Sequence, residues 1–208
     1  MRVTIYDKQG DCEAPWAQVI RRENVGREAE TYVHHLLDRW DDLPELTVFA
    51  QGHPFDHASD FHAVLRALAS GERVVADFAW FGFLVDSDDP RGRRLFVPWS
   101  KNPERKELAV DTFHRALLDA EPPEWLRFHG GAQFAVTRDR IRARGRAFWE
   151  RALTLAREFP DAAHCFERTW DRIFGVQGVD TATLEDGFSA YLKPIKRRQI
   201  PPQEHLDV

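Results

Sequence analysis

The sequence predicts an α/β fold: a single domain with a mixed, mostly parallel sheet flanked by helices, and with a helical carboxyl-terminal half. In the first half, short apolar runs typical of covered strands alternate with amphipathic stretches of helical spacing. From Asp139 to Phe174 the apolar residues follow helical spacing. The 208 residues suffice for one core, so residues 1–208 are predicted to form one domain, with residues 175–208 as a wrapping tail.

Strands are predicted where β-branched, aromatic and aliphatic residues form short runs. These runs are residues 3–6, 17–20, 46–50, 74–78, 81–85, 126–128 and 133–136. Helices are predicted where apolar residues recur at three- and four-residue spacing. These stretches are residues 24–43, 61–71, 113–118, 139–158 and 162–174. Asn24 and Asp56 are the predicted caps of the first two helices, and residues 86–107 are a predicted long loop.

Composition limits the classes of function. The formal charge of −5 argues against a general nucleic-acid binder, and no apolar run is long enough for a signal peptide or a membrane span. The cysteines are only two and far apart, which favours a reducing compartment. We therefore expect a cytoplasmic protein with a small-molecule substrate and no nucleic-acid or membrane partner. Its oligomeric state is not predicted. Seven Trp and fifteen Phe predict an aromatic core or pocket.

Polar residues collect at the two ends of the segment from Asn24 to His57. Helix starts and strand ends meet at the binding crevice of an open α/β sheet, so this segment is the predicted site. Glu28, Tyr32 and His35 share one helical stripe, which would place a carboxylate beside an imidazole for proton transfer. In the alternative interpretation Glu28 simply meets the positive end of the helix dipole.

A second group of polar residues follows the strand at residues 46–50. His53, Asp56 and His57 are ligand types for zinc or another divalent metal, so a divalent metal is a candidate cofactor. The alternative is that they cap a helix and order a loop, since Pro54 interrupts any helical spacing between the histidines.

Two later segments add candidates. Gly130 and Gly131 precede Gln133 at the start of a predicted strand, where paired glycines permit close approach of a ligand to the backbone. Glu167 lies beside the buried stripe of its helix, so it either faces a site or pairs with Arg168 or Arg172. The motifs of serine hydrolases, P-loop kinases and dinucleotide enzymes do not occur.

Four separated motifs carry a resemblance that covers residues 24–174. They read N-V-G-R-E-x-x-T-Y-V-H-H, T-V-F-A-Q-G-H-P-F-D-H, G-A-Q-F-A-V-T-R-D-R-I and F-E-R-T-W-D-R-I-F. In this order they resemble an uncharacterised family, domain of unknown function 3431. The chain is also distantly similar to nucleotide-sugar glycosyltransferases, which implies a glycosyltransferase-A-like fold. Gln51-Gly52-His53 stands where those enzymes carry an acidic metal-binding pair.

These observations lead to three hypotheses. The first is an enzyme of glycosyltransferase-like architecture that acts on a polar, sugar-like or phosphorylated substrate. The second is a metal-dependent enzyme of other chemistry, and the third is a non-catalytic binding module. For the first hypothesis the residues divide by role. Catalytic candidates are Glu28, Glu167 and His35; substrate-binding candidates are Asn24, Arg27, Tyr32, Gln51 and Gln133; metal candidates are His53, Asp56 and His57.

Overall fold

Short strands and helices alternate along the chain. The computed structural model describes residues 2–93, 107–176, 179, 181–184 and 188–192. The strands within these ranges are β1 (Thr4–Asp7), β2 (Gln18–Arg21), β3 (Leu46–Phe49), β4 (Phe78–Trp80), β5 (Leu84–Asp88), β6 (Leu126–His129), β7 (Phe134–Thr137) and β8 (Ser189–Tyr191). The α-helices are α1 (Arg27–Asp38), α2 (Phe61–Ser70), α3 (Val110–Leu118), α4 (Arg138–Arg142), α5 (Arg146–Glu158), α6 (Ala162–Glu167) and α7 (Trp170–Ile173). Short 3₁₀ helices cover Pro54–Asp56 and Thr181–Leu184.

The α/β prediction is confirmed, but the predicted mostly parallel sheet is wrong. Among the described strands, only β1 and β2 pair in parallel, and the other pairings are antiparallel. The cause lies in the segment β3–α2–β4. A strand–helix–strand pattern returns the chain in its original direction and so predicts a parallel pair. Here β7 lies between β3 and β4 and pairs antiparallel with both.

One long antiparallel ribbon joins the two three-stranded sheets. Trp80 pairs with Phe134 and Val85 pairs with His129. Trp80 and Val85 are five positions apart, and so are His129 and Phe134. The same antiparallel register therefore runs through β4–β5 and β6–β7. Residues 130–133 interrupt the ribbon at its middle, where both Gly131 and Ala132 have positive φ. The sheets therefore separate at this interruption.

The carboxyl-terminal segment returns to the same ribbon. β8 pairs antiparallel with β5, and the amide of Leu192 donates to the carbonyl of Phe83 over 2.7 Å. The amide of Phe83 in turn donates to the carbonyl of His57 over 2.9 Å. The part of the predicted tail at 193–208 and the part of the predicted loop at 94–106 lie outside the described residues.

Aromatic rings fill the space between the sheet and the helices, as the composition predicts. Phe134 and Val136 of β7 lie in the main core with α1, α5 and α6, whereas Ala135 belongs to a smaller cluster with α2. This alternation follows the period of two in a strand covered on both faces. No helix formed by the described residues has the length and apolar character that a membrane span requires.

Several predicted helix boundaries are wrong. The residue before α1 is Gly26, in the left-handed region at φ 61°, while the predicted cap Asn24 is exposed. The residue before α2 is Asp60, and Asp56 lies in the 3₁₀ helix. The helix predicted over 139–158 is broken between α4 and α5. The helix predicted over 162–174 is broken between α6 and α7.

Arginines of α4 and the turn after it fix the ends of other elements. Arg142 donates to the carbonyl of Trp40 over 3.0 Å, and Arg138 donates to that of Leu43 over 3.3 Å. Arg144 donates to the carbonyls of Arg172 and Ile173 at the end of α7. Helix ends leave carbonyls without intrahelical partners, so these guanidinium groups satisfy acceptors that would otherwise need water.

A buried carboxylate anchors the start of α1. The side chain of Glu30 is 1% exposed and accepts hydrogen bonds from Lys8, Arg22 and Arg157. Burial alone would raise the pKa of Glu30, but these cations lower it below its ordinary value of 4.5. Lys8 also donates to the carbonyls of Val25 and Arg27, so it holds the turn that begins α1.

We expect Glu30→Gln to lower the free energy of unfolding by about 3 kcal/mol at neutral pH, because it removes one member of a buried ion cluster. Because the pKa of Glu30 is lower in the folded state, its contribution to stability is complete above pH 4.5, its ordinary pKa. The contribution is lost as the pH falls through the pKa of the folded state. Urea unfolding across a pH series should therefore show the difference from the unmodified protein shrinking in acid. The exposed Glu158 provides the control, Glu158→Gln, which should change stability by less than about 0.5 kcal/mol.

Candidate functional site

The interruption of the long ribbon presents a backbone amide to a carboxylate. Gly131 has φ 95°, and its N–H donates to Oε1 of Glu167 over 2.7 Å. A Cβ added at Gly131 would lie 2.4 Å from the Cβ of His57. Gly131 is therefore constrained by its conformation and by its neighbour, and it separates Glu167 from His57.

Glu167 stands at the end of α6 with its side chain 17% exposed. Its Oε2 lies 4.0 Å from Nδ1 of His164 and 3.8 Å from Nη1 of Arg168. Burial alone would raise the pKa of Glu167. The His164 imidazole, the Arg168 charge and the Gly131 amide together lower it below its usual value. Glu167 is therefore ionised at neutral pH.

A buried ion pair fixes the end of α6. Arg168 Nε donates to Oδ2 of Asp88 in β5 over 2.9 Å, and both side chains are almost fully buried. The Arg168 guanidinium also lies over the Phe128 ring, 4.7 Å from its centroid, and donates to the carbonyl of His164. Helix α6 is thus attached to the sheet immediately after Glu167.

Glu28 reaches the site from the first turn of α1, which packs against α6. The turn before it holds Gly26 and Arg27 at φ 61° and 49°. Gly26 also permits close packing, because a Cβ there would lie 2.4 Å from the carbonyl oxygen of Ala156. Burial raises the pKa of Glu28, and the charge of Glu167 raises it further, against the opposing charges of Arg27 and His164.

Tyr32 stands one helical turn after Glu28 and is 4% exposed. Its ring packs against Phe49, Phe134 and Trp170, at centroid distances of 4.7, 5.8 and 6.0 Å. Its hydroxyl has no hydrogen-bond partner among the residues that the structure describes. Burial raises the pKa of Tyr32 well above its usual value, and the charges of Glu28 and Glu167 add to this. Glu28 and Tyr32 therefore lie one turn apart on α1, and both lie within electrostatic range of Glu167 on α6.

Gln133 lies on the opposite side of the ribbon, where it is fully buried. Its Nε2 donates to the carbonyl of Pro54 over 2.9 Å, while its Oε1 has no partner within the described part of the chain. This bond joins the 3₁₀ helix to the interruption of the ribbon. The predicted substrate-binding residue therefore borders the turn at Gly131, next to His57 rather than next to Glu28.

Among the described residues, the other candidates make no hydrogen bond, ion pair or ring contact with Glu28 or Glu167, although the charge of Arg27 acts on its neighbour Glu28. His35 Nδ1 lies 2.9 Å from the Tyr6 hydroxyl, and burial lowers the pKa of His35 to about 4. Its ring packs on Phe49, so its contacts are on the β1 and β3 side of α1. Asn24 and Arg27 are exposed before and at the start of α1, and Gln51 is half-buried after β3.

The metal candidates do not converge. His53 and Asp56 are exposed, whereas His57 is half-buried against Gly131. In the described ranges, no group of three or more His, Cys, Asp or Glu side chains is arranged to hold a metal ion. Metal binding at these residues stays a prediction, without a preformed set of ligands to support it.

Sequence reasoning missed His164, Gly131 as a hydrogen-bond donor, and the Arg168–Asp88 pair. His164 precedes Glu167 by three positions on one helix, so helical spacing was a signal that could have found it. Asp88 had no such signal, because it belongs to a strand eighty positions away along the chain. For Glu167, the predicted pairing with Arg168 is present at 3.8 Å, although Arg168 is also bonded to Asp88. Its role in a site stays a prediction.

The packing of α1 against α6 brings two carboxylates with opposite pKa shifts into the same region. The pKa of Glu28 is raised and the pKa of Glu167 is lowered. Glu28 therefore holds a proton more readily, while Glu167 stays charged. Such a division suits an acid/base residue beside a residue that stabilises positive charge or orients hydroxyl groups.

The comparisons with known proteins place the chain in a group without an assigned activity. The sequence model of the family described as Protein of unknown function (DUF3431) matches residues 1–189. No curated protein and no solved structure matches the chain.

We expect Gly131→Ala to be destabilising for two separable reasons. Positive φ costs a residue with a Cβ about 1–2 kcal/mol, and the collision with His57 adds about 1–3 kcal/mol. Gly10→Ala is the matched control, since Gly10 has φ 85° and open space around the added Cβ. Chemical denaturation of both variants measures the difference.

The double variant Gly131→Ala/His57→Gly removes the colliding Cβ. A double-mutant cycle should then recover the collision part of the loss, about 1–3 kcal/mol. Equal destabilisation by Gly10→Ala and Gly131→Ala, with no coupling to His57, would contradict this account.

Proposed function

The chain belongs to the DUF3431 family, and we propose that it is an enzyme that transfers a group to a hydroxyl of a polar, sugar-like substrate. The observation that carries the proposal is the pair of partly buried glutamates, Glu28 on α1 and Glu167 on α6, carried by two helices that pack against each other. The proposal keeps glycosyltransferase-like chemistry but does not depend on a glycosyltransferase-A-like sheet, because fold alone does not determine function.

Glu28 is the proposed general base. Its raised pKa makes its carboxylate a better proton acceptor than an exposed glutamate. In the proposed step the acceptor hydroxyl loses its proton to Glu28 as its oxygen forms a bond to the transferred carbon. The bond from that carbon to the donor's phosphate oxygen breaks, and the phosphate leaves with the electron pair. Glu28 then returns its proton to solvent.

Glu167 is proposed to orient the acceptor. It stays ionised, and its Oε1 is fixed by the Gly131 amide, so it presents a charged acceptor of hydrogen bonds in a constant position. Its charge also helps to raise the pKa of Glu28. The two carboxylates therefore have different proposed roles that depend on each other.

Arg27 is the proposed contact for the phosphorylated donor. Its side chain is exposed, and Arg27 directly precedes Glu28 in the sequence. A guanidinium can bind phosphate oxygens in bidentate fashion, while the two carboxylates disfavour a phosphate directly between them. His35 has no part in the proposed step, because its ring is bonded to Tyr6 and packed on Phe49.

The test is an assay of nucleoside diphosphate release from a panel of nucleotide sugars, with and without simple sugars as acceptors. We expect acceptor-dependent release that falls about 100-fold or more in Glu28→Gln, since general bases contribute at least that factor. The exposed Glu23 supplies the matched control, Glu23→Gln. Arg27→Ala should raise the KM for the donor, whereas Arg66→Ala, at an exposed position of α2, should not.

Turnover that survives Glu28→Gln would contradict the proposed base. Ligand binding without turnover across the whole panel would instead favour the non-catalytic binding module.

A further inference from the structure

Strand β8 forms one edge of its sheet. It pairs with β5 on one side, and within the part of the chain that the structure describes no strand pairs with its other side. In an antiparallel ladder, the backbone groups of successive residues point alternately to the two sides. The Leu192 amide points towards β5, because it donates to the carbonyl of Phe83. The N–H and C=O groups of Ser189 and Tyr191 therefore point away from β5, towards the open side.

The same edge carries exposed apolar side chains. Phe188, Ala190 and Leu192 occupy alternate positions, so they share one face of the strand. Phe188 is 52% exposed and Leu192 is 44% exposed, although the Phe188 ring also contacts Trp125 at a centroid distance of 5.5 Å. Strand edges that expose backbone groups beside apolar side chains readily pair with other chains.

The exposed residues are arranged symmetrically about Ala190. Phe188 precedes it by two positions and Leu192 follows it by two. Two copies of β8 aligned antiparallel about a twofold axis at Ala190 would place Phe188 of each copy opposite Leu192 of the other. In this register Ser189 lies opposite Tyr191, and these are the residues whose backbone groups point outward. Each such pair can therefore exchange two hydrogen bonds, and the small Ala190 suits the close approach at the axis.

The charges that flank β8 in the sequence favour the same alignment. Glu185 and Asp186 precede the strand, whereas Lys193 and Lys196 follow it. An antiparallel second copy brings the basic flank of one chain to the acidic flank of the other, while a parallel copy would bring like charges together. The edge is thus complementary to itself in its backbone groups, its apolar side chains and its charges.

We propose that this protein associates with a second copy of itself through the outer edges of β8, which joins the two three-stranded sheets into one continuous sheet. The association is independent of the proposed activity, because β8 supplies none of the candidate site residues. Stable interfaces bury roughly 1,200–2,000 Å², and a single short strand pairing buries less. The dimer is therefore weak and depends on protein concentration.

The first test is sedimentation equilibrium of the full chain between about 5 µM and 1 mM. We expect the average mass to rise towards that of two chains, with half-association at roughly 10–100 µM, as for a small interface. Tyr191→Pro removes an outward N–H group and keeps the bonds to β5, since proline is tolerated on the open side of an edge strand. It should weaken association at least about tenfold. The matched control Tyr191→Ala keeps the N–H group and should stay within about threefold of the unmodified protein.

A second set of variants tests the register. Phe188→Glu and Leu192→Lys each replace an apolar contact by a charge, so each should weaken association at least about tenfold. In the double variant Phe188→Glu/Leu192→Lys the introduced charges have opposite signs and face each other across the axis, so association should largely return. Val74→Lys makes a similar change at a position that is 83% exposed, and it should leave association unchanged.

Backbone amide exchange distinguishes a second copy from another segment of the same chain as the occupant of this edge. The Ser189 and Tyr191 amides should become protected as protein concentration rises, whereas the Leu192 amide should be protected at every concentration. Protection of Ser189 and Tyr191 in a monomer would overturn the proposal in favour of intramolecular cover. A chain that stays monomeric at 1 mM would overturn it, as would a dimer that is insensitive to Tyr191→Pro or is not restored in the double variant.

Discussion

The bond network of Glu30 is the constraint on which the site depends. A buried carboxylate without partners would be strongly destabilising, so Lys8, Arg22 and Arg157 must converge on it. Lys8 follows β1, Arg22 follows β2 and Arg157 belongs to α5. A single side chain of α1 therefore determines how three separate parts of the chain approach the helix. Because Lys8 also binds two carbonyls of the preceding turn, the network sets the direction in which Glu28 leaves the backbone.

The second carboxylate, Glu167, is also positioned by a buried ion pair. Arg168 follows Glu167 directly, and its bond to Asp88 attaches the end of α6 to β5. Glu167 thus directly precedes a member of a buried ion pair, and Glu28 lies two positions before Glu30, so each helix is fixed close to its carboxylate. Neither carboxylate depends on a flexible loop for its position, except through the short turn at Gly131. Such preorganisation favours both binding and proton transfer, since little conformational freedom remains to be lost.

Local patterns allowed the elements and part of the site to be predicted. Helical spacing placed Glu28 and Tyr32 on one stripe. The apolar neighbours Phe166 and Trp170 predicted that Glu167 lies beside a buried face of its helix. The same stripe includes His35, but two helical turns separate it from Glu28, and its ring contacts Tyr6 instead. Strand direction could not be predicted, since the insertion of β7 between β3 and β4 depends on residues that follow much later. The start of α1 was missed for a similar reason, because distant Lys8 supports the left-handed turn at Gly26 and Arg27.

The return of β8 to the ribbon has a consequence for how the chain can be shortened. β8 covers one side of β5, and Leu192 is linked through Phe83 to the carbonyl of His57. A chain ending before Ser189 would leave β5 as an open strand edge, and open edges pair with other chains. Self-association of a truncated chain would therefore begin at β5, although β8 itself supplies none of the candidate site residues. The choice of carboxyl-terminal boundary thus affects both solubility and the shape of the site.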